Sequence, residues 1–326
     1  MNKTNASPEI VFSTIDSEVL SVLLKDFTTQ KGVLWATDAY AEKGTGYQKT
    51  DEITISRITG SNEGLIIPRY RKNRSEQEQR SHDHAEVFTP AWLINEQNNL
   101  IDNQICKPNK GFTVNRKNKT WFANQKLEFI DGYSYQSYIN RTCLEVACGE
   151  APYLVTRYDA TSAKLIPIEK RVGRLDRKFR VINRFVKTDK EWLDASIVAR
   201  QSVYGYELQG DNLVIGRINL FLSYLDYYRN RFNENPNAEL SKNIATIISW
   251  NLFQMDGLKL VVPYSCHNIT SDLIPLFGEA ESEICPGCKA NNPKRHNGKR
   301  CYIRDWKENR KIKYIDLLWG DNYGKK

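Results

Sequence analysis

Long apolar runs are missing from this 326-residue chain. None approaches the ~20 residues that cross a bilayer, and the opening MNKTNASPEI lacks the apolar core of a secretory signal. The expectation is a cytoplasmic protein with no membrane partner. Cysteine is sparse and odd in number, seven in all, with two of them in CPGC at 285–288. That argues against a disulfide framework and for reduced thiols with a metal. Acidic residues are outnumbered, 39 against 47 Lys and Arg, for a net charge of +8. Such a balance suits a polyanionic partner, although solubility alone also accounts for it. Gly44-Thr45-Gly46 lacks the Lys-Ser/Thr that completes a phosphate loop. There is no internal repeat and no low-complexity tract. What remains, 40% hydrophobic and 26% charged residues, is ordinary for a globular chain long enough for one main domain with extensions.

Hydrophobic periodicity gives a coarse order of elements. Val19, Leu20, Leu23, Leu24 and Phe27 follow helical spacing behind the capping candidates Asp16 and Ser17. Residues 67–84 are polar and basic and read as a linker or exposed arm. Pro90 can start a helix through Trp92, Leu93 and Leu100, and 107–122 reads as a basic loop or hairpin. LEVACGEAPYL (144–154) reads as a buried strand, with Leu144, Val146 and Cys148 alternating, that stops at Gly149. In 168–185, Lys170, Arg174, Arg177 and Lys178 share one helical face. VYGYEL (203–208) is a second strand. Asp211 can cap the helix carrying Val214, Ile218, Phe221, Leu225 and Tyr228. IISWNLFQM (247–255) is a third strand, followed by the short run LKLVV (258–262). Strand, helix, strand, helix, strand predicts an α/β fold with a parallel sheet covered by helices.

The three strands end near Gly149, Glu207 and Asp256. In a parallel sheet those ends share one edge, where a small-residue turn lets backbone N–H groups approach a ligand. A carboxylate at the second strand end suits a ribose diol, because it accepts from both hydroxyls. An acid after the third suits an adenine amino group. Taken singly, Gly149 is a common strand-ending turn, Glu207 an exposed carboxylate at a helix start, and Asp256 a turn residue before Gly257. Their joint order carries the functional reading.

EVFTP (86–90), LEVACGEAPYL (144–154), VYGYELQGDNLVIGRINLFL (203–222) and NLFQMDGL (251–258) resemble the cofactor-side motifs of S-adenosylmethionine-dependent adenine-N6 DNA methyltransferases. More narrowly, the chain resembles the proteins called restriction endonuclease subunit M, from about residue 32 through the cysteine-rich segment. The resemblance implies a Rossmann-like methyltransferase sheet, complete or incomplete, with an N-terminal extension and a small zinc-knuckle-like module near the C-terminus. It implies S-adenosyl-L-methionine as cofactor and double-stranded DNA as substrate. By match to the motifs, Phe88, Thr89 and Pro90 would pack over the methionine part of the cofactor. Glu145, Cys148 and Gly149 would form the first-strand loop, Glu207 would bind the ribose, and Asp256 would face the adenine ring.

The chain departs from that family in one respect. An Asn-Pro-Pro-Tyr-type loop, which in the family holds the amino group being methylated, is absent from these residues. Weak stand-ins are Pro263 and Tyr264 in VVPYS, and Asp321, Asn322 and Tyr323 in IDLLWGDNY. The expectation is a cofactor-binding half, with the target-binding half degenerate or supplied by a partner subunit. Two readings follow: an adenine-N6 modification subunit of a restriction-modification system, or a non-catalytic DNA-binding or assembly subunit that keeps the cofactor fold.

Cys285-x2-Cys288-x7-His296-x4-Cys301 has zinc-knuckle-like spacing and predicts a closed, structural zinc site, with Cys266 and His267 as alternates for one ligand. Lys289, Lys294, Arg295, Lys299 and Arg300 around it are either phosphate-facing or merely solvated. The basic segments 69–74, 107–119 and 170–184 are further candidates to track a DNA backbone. The expected organisation is an extension over 1–84, a cofactor domain over 85–262, the metal module over 263–304 and a terminal strand and tail over 305–326.

Overall fold

The structure is a computed structural model that describes residues 10–84, 89–270 and 282–319. Its leading part holds helices α1 (Ser17–Leu23), α2 (Ile55–Ile58) and α3 (Arg74–His84). Then come α4 (Ala91–Asp102), the hairpin β1 (Thr113–Arg116) and β2 (Thr120–Ala123), and α5 (Tyr135–Asn140). The central unit runs β3 (Cys143–Glu145), α6 (Arg174–Phe185), α7 (Asp189–Gln201), β4 (Val203–Glu207), α8 (Gly210–Phe232), α9 (Ala238–Asn251) and β5 (Leu252–Gln254). Short elements close the chain: β6 (Ile269–Thr270), β7 (Ser282–Glu283), α10 (Pro286–Ala290), β8 (Tyr302–Asp305), β9 (Arg310–Lys313) and α11 (Tyr314–Trp319).

The fold is mixed α/β, built on a three-stranded parallel sheet in the order β3-β4-β5. Glu145 lies opposite Gly205, and Glu207 opposite Gln254. Parallel neighbours need crossovers, supplied here by the helix pairs α6–α7 and α8–α9. Strand β4 alternates between two cores. Val203 belongs to the main cluster with Leu213, Ile218, Phe179 and Trp192, while Tyr206 packs with Phe253, Met255, Ile303 and Tyr314 under the β8–β9 hairpin. The main cluster also takes in Phe12, Leu20, Leu23 and Trp35, so the leading residues share the core of the central unit.

Local signals explain several elements. Asp16 caps α1 by accepting from the N–H groups of Glu18 and Val19, which satisfies donors that a helix start leaves orphaned. Pro90 stands immediately before α4. Residues 113–123 form the expected hairpin, with Thr113 opposite Ala123.

Other expectations are corrected. The third strand is only Leu252–Gln254, because residues 247–251 complete α9, capped at its start by Asn237. The short run 258–262 forms a turn with isolated bridges. Asp211 lies inside α8, one position after its first residue, and Gln209 stands at the cap position. The polar segment 67–84 is no free arm. Lys72 and Arg80 are buried against Asp211, at 3.5 and 2.9 Å, and Tyr40 donates its hydroxyl to the same carboxylate. Around Leu144 the alternation is inverted: Leu144 and Val146 are exposed, whereas the Glu145 carboxylate turns inward to accept from the N–H groups of Tyr153 and Leu154.

The basic face of α6 also points inward. Arg177 is fully buried, and its guanidinium meets Asp102 at 2.7 Å and the side chains of Asn95 and Asn99. Arg174 reaches the same Asp102 at 2.9 Å. Lys178 donates to the Ile139 carbonyl and to Arg141 O and Ser202 Oγ. Arg171 pairs with Asp226 at 2.7 Å. Arg174, Arg177 and Lys178 stitch α4 and α5 onto α6, and Arg171, ahead of α6, ties its segment to α8; these four are not available to track DNA, while Lys170 lies before α6 and is exposed. Among the described residues, no helix is long and apolar enough to cross a membrane.

Candidate functional site

The loop after β3 is conformationally unusual. Ala147, Gly149 and Ala151 all take left-handed backbone angles, with φ of 48°, 53° and 61°. Glycine adopts that region freely, but alanine does so at a cost. The loop is held by Cys148 N–H on the Tyr206 carbonyl at 2.8 Å and by Ala151 N–H on the Cys148 carbonyl at 2.7 Å. Its closest tie to the second strand end is the Gly149 N–H, which donates to Glu207 Oε2 at 2.8 Å. The other oxygen of Glu207 accepts from the N–H groups of Leu208 and Gln209, at 2.9 and 3.0 Å.

Two of the expected cofactor residues, Gly149 and Glu207, are therefore in direct contact, and Cys148 packs at Gly205 behind them. Glu145 and Glu207 also sense each other. Burial pushes the Glu145 carboxyl up to about 8 against the pull of its two backbone donors, and the charge of Glu207 adds to the rise. Burial raises Glu207 as well, with its backbone donors and Gly149 N–H opposing.

Asp256 lies two residues past the register partner of Glu207, and Met255 N–H donates to the Glu207 carbonyl at 3.0 Å. Its carboxylate is engaged by its own turn. Oδ1 accepts from the N–H groups of Leu258 and Lys259, both at 3.1 Å, and Oδ2 lies 3.4 Å from Lys259 Nζ. Leu260 closes the turn at φ 57°, with its N–H on the Asp256 carbonyl at 2.7 Å.

A segment that sequence reasoning did not assign to the site runs along the same edge. Leu34 is clamped by Gln254, whose side chain accepts from Leu34 N–H and donates to Leu34 O, both at 2.8 Å, and also donates to Leu208 O. Gly210 N–H donates to the Trp35 carbonyl at 2.9 Å. A Cβ at Gly210 would come within 1.9 Å of Leu34 O, so only glycine fits there. The following residue, Ala36, is again left-handed at φ 50°. Tyr264 is half exposed at φ 57°; burial raises its phenol, and the charges of Lys49, Asp38 and Asp256 act on it. Backbone strain thus gathers where the three strands end, as it does at ligand sites. Gly210 and Gln254, which hold this segment, carry no local pattern that marks it in the sequence.

Of the aromatic-Thr-Pro segment, Phe88 lies outside the described residues. Thr89 and Pro90 lead into α4, whose Gln97 accepts from the Tyr153 hydroxyl beside the Glu145 loop. Asp321, Asn322 and Tyr323 also lie outside the described residues. Pro263 is buried and adjoins Tyr264. A cavity of about 440 Å³ lies elsewhere, between α7, the sheet and the β8–β9 hairpin, lined by Leu144, Tyr204, Phe253, Ile303 and Tyr314 among others; none of the expected cofactor residues line it.

The cysteine module corrects one ligand. Cys266, Cys285, Cys288 and His296 bring their ligand atoms within 4.8 Å of one another and could hold a metal ion. The three sulfurs lie 3.5, 3.7 and 3.6 Å from His296 Nδ1. A tetrahedral ion with metal–sulfur and metal–nitrogen bonds of about 2.3 and 2.05 Å sets that S···N edge at about 3.6 Å. Asn297 N–H points at Cys285 Sγ at 3.4 Å. Burial pushes the Cys285 thiol up, but the surrounding N–H groups and His296 outweigh it and bring it down to about 6. Gly287 is required, since a Cβ there would meet His296 N at 2.3 Å. Cys301 is not in the cluster. It is buried among Phe253 and Met255 with its thiol 3.4 Å from Gln254 O, so the fourth position belongs to Cys266, the alternate. His267 is exposed and faces Ser265 O at 3.5 Å.

No protein-family model, curated protein or solved structure matches the chain.

Proposed function

We propose that the carboxyl edge of the sheet binds S-adenosyl-L-methionine and that the chain is the modification subunit of an adenine-N6 DNA methyltransferase in a restriction-modification system. The observation that carries this reading is the Gly149 N–H bond to Glu207, which joins a strained small-residue loop to an acidic strand end. Oε2 of Glu207 accepts one backbone donor, which leaves it a lone pair for a ribose hydroxyl. Gly149 exposes no side chain beside it, so a nucleoside can approach the backbone. Asp256, ordered by its own turn, would accept from an adenine amino group with the oxygen nearer Lys259. The bound cofactor supplies an electrophilic methyl group; the chain's own part is to bind, orient and exclude water.

On the same reading, the Cys266, Cys285, Cys288 and His296 cluster holds a structural zinc, since soft thiolates with one imidazole in a closed set suit that ion. Basic surface remains on the 113–123 hairpin, where Arg116, Lys117 and Lys119 are exposed, and around the cluster at Lys289, Lys294 and Lys299. Those groups would take DNA phosphates in place of α6.

A second reading, a non-catalytic DNA-binding or assembly subunit, is favoured by one feature. The segment before Pro263 is Val261-Val262, with no amide side chain to hold a target amino group. Calorimetry with S-adenosylhomocysteine, followed by a separate assay of methyl incorporation from S-adenosyl-L-methionine into adenine-containing DNA, tests both. Binding with turnover supports the first reading, and binding without turnover, restored by a partner subunit, supports a divided enzyme. Absence of binding rejects the cofactor assignment.

A further inference from the structure

Arg300 joins two parts of the molecule that the cofactor reading treats separately. Its guanidinium donates to the carbonyls of Pro293, Lys294 and His296 at 2.7, 2.9 and 3.0 Å, and to the carbonyl of Lys259 at 3.4 Å. The first three belong to the metal module and include a ligand residue. The fourth is in the Asp256 turn. Backbone contacts tighten the same link. Val261 bridges to both Asp256 and Arg300, Val262 N–H donates to Lys299 O at 2.8 Å, and Lys299 N–H donates to Ser265 Oγ at 2.9 Å, one residue from Cys266.

No residue of the segment 285–300 belongs to either apolar core. A module of that kind takes its order from the metal. Without the ion, three sulfurs and an imidazole crowded at under 4 Å are left with weak S···N contacts in place of metal bonds. The strained Leu260 and the carboxylate of Asp256 then lose the frame on which their turn is braced.

We propose that metal occupancy of the Cys266, Cys285, Cys288 and His296 cluster sets the geometry of the Asp256 turn, with Arg300 as the positioning residue that transmits it. The loaded chain holds the turn ready for a nucleoside base, and loss of the ion releases it. The functional consequence rests on the cofactor reading of the sheet edge; the mechanical coupling does not.

The full chain is prepared with zinc, then stripped by a chelator, alongside loaded Arg300→Ala and Arg300→Lys variants. Hydrogen exchange is read at the Leu260 and Val262 amides, with the Cys148 amide in the sheet edge as control. S-adenosylhomocysteine affinity is read by calorimetry. Stripping is expected to speed exchange at Leu260 and Val262 by about tenfold or more, and to weaken the ligand about tenfold, with Cys148 unchanged. Loaded Arg300→Ala should do the same on both readouts while keeping its ion, and Arg300→Lys should recover part of each. Exchange at Leu260 and Val262 that ignores both metal removal and Arg300→Ala overturns the coupling. If stripping also frees the Cys148 amide, the loaded Arg300→Ala variant alone decides. A loaded wild-type chain that binds no S-adenosylhomocysteine rejects the cofactor reading, and the exchange arm still judges the coupling.

Discussion

Asp102→Leu is the perturbation that separates an internal basic network from a DNA-tracking face. Asp102 is fully buried and accepts from Arg177 at 2.7 Å, Arg174 at 2.9 Å and the Tyr138 hydroxyl at 3.0 Å. Leucine keeps the branched outline of the aspartate side chain while removing its charge and acceptors, although its methyl groups are bulkier than the oxygens they replace and add some overpacking at this buried site. It strands one guanidinium that is wholly buried and another that is mostly so. Removing one partner of a buried ion pair costs about 3–5 kcal/mol, because the remaining charge is left without compensation. Arg177 keeps Asn95 and Asn99, which places the expected loss near the lower end, about 3 kcal/mol. With a urea slope of about 3 kcal/mol/M or somewhat more for a chain of this size, the midpoint should fall by about 1 M. The control is Lys117→Ala and Lys119→Ala on the exposed hairpin, where about 0.5 kcal/mol or less is expected. If Asp102→Leu leaves the midpoint unchanged, or if Arg177→Ala spares the fold while abolishing DNA binding, the internal assignment of this face is wrong.

Metal analysis should return one ion per chain for wild type and for Cys301→Ser, and none for Cys266→Ser; the reverse pattern would restore the spacing-based ligand set. Gly210→Ala forces a Cβ onto Leu34 O and should cost about 1–3 kcal/mol in denaturant midpoint, with unchanged stability arguing that residues 34–36 do not lie on the edge. The pH profile of stability should carry the mark of Glu145. Its folded pKa is raised from 4.5 to about 8, so between those values the folded state binds more protons than the unfolded one, and stability falls as pH rises. Glu145→Gln should flatten that fall between about pH 4.5 and 8, and an unchanged slope would contradict the buried carboxyl.

Much of the architecture was legible because its signals are local. The Asp16 cap and the Val19-Leu20-Leu23 spacing fix α1, and the apolar stripe from Val214 to Tyr228 fixes most of α8. The spacing of Cys285, Cys288 and His296 marks three of the four cluster ligands. The rest depends on tertiary context. IISWNLFQM is mostly apolar with no clean period, which does not separate a buried helix end from a strand. Glu145 faces inward only because Tyr153 and Leu154 present their N–H groups after the loop turns back. Arg177 reads as a solvated cation until Asp102, far upstream, is folded against it. By spacing Cys301 completes the set and Cys266 is only an alternate, but the position falls to Cys266 because Cys301 sits in the core beneath Gln254. The inward role of Gln254, clamping Leu34, has no sequence pattern at all.

The sheet-edge assignment meets its most direct test in calorimetry of the zinc-loaded full chain with S-adenosylhomocysteine and with its 2′-deoxyribose analogue. The account predicts one site per chain and about tenfold weaker binding of the deoxy analogue, the worth of a hydrogen bond to a charged group. No heat of binding, or equal affinity for both ligands, would contradict a ribose held at Glu207 beside Gly149.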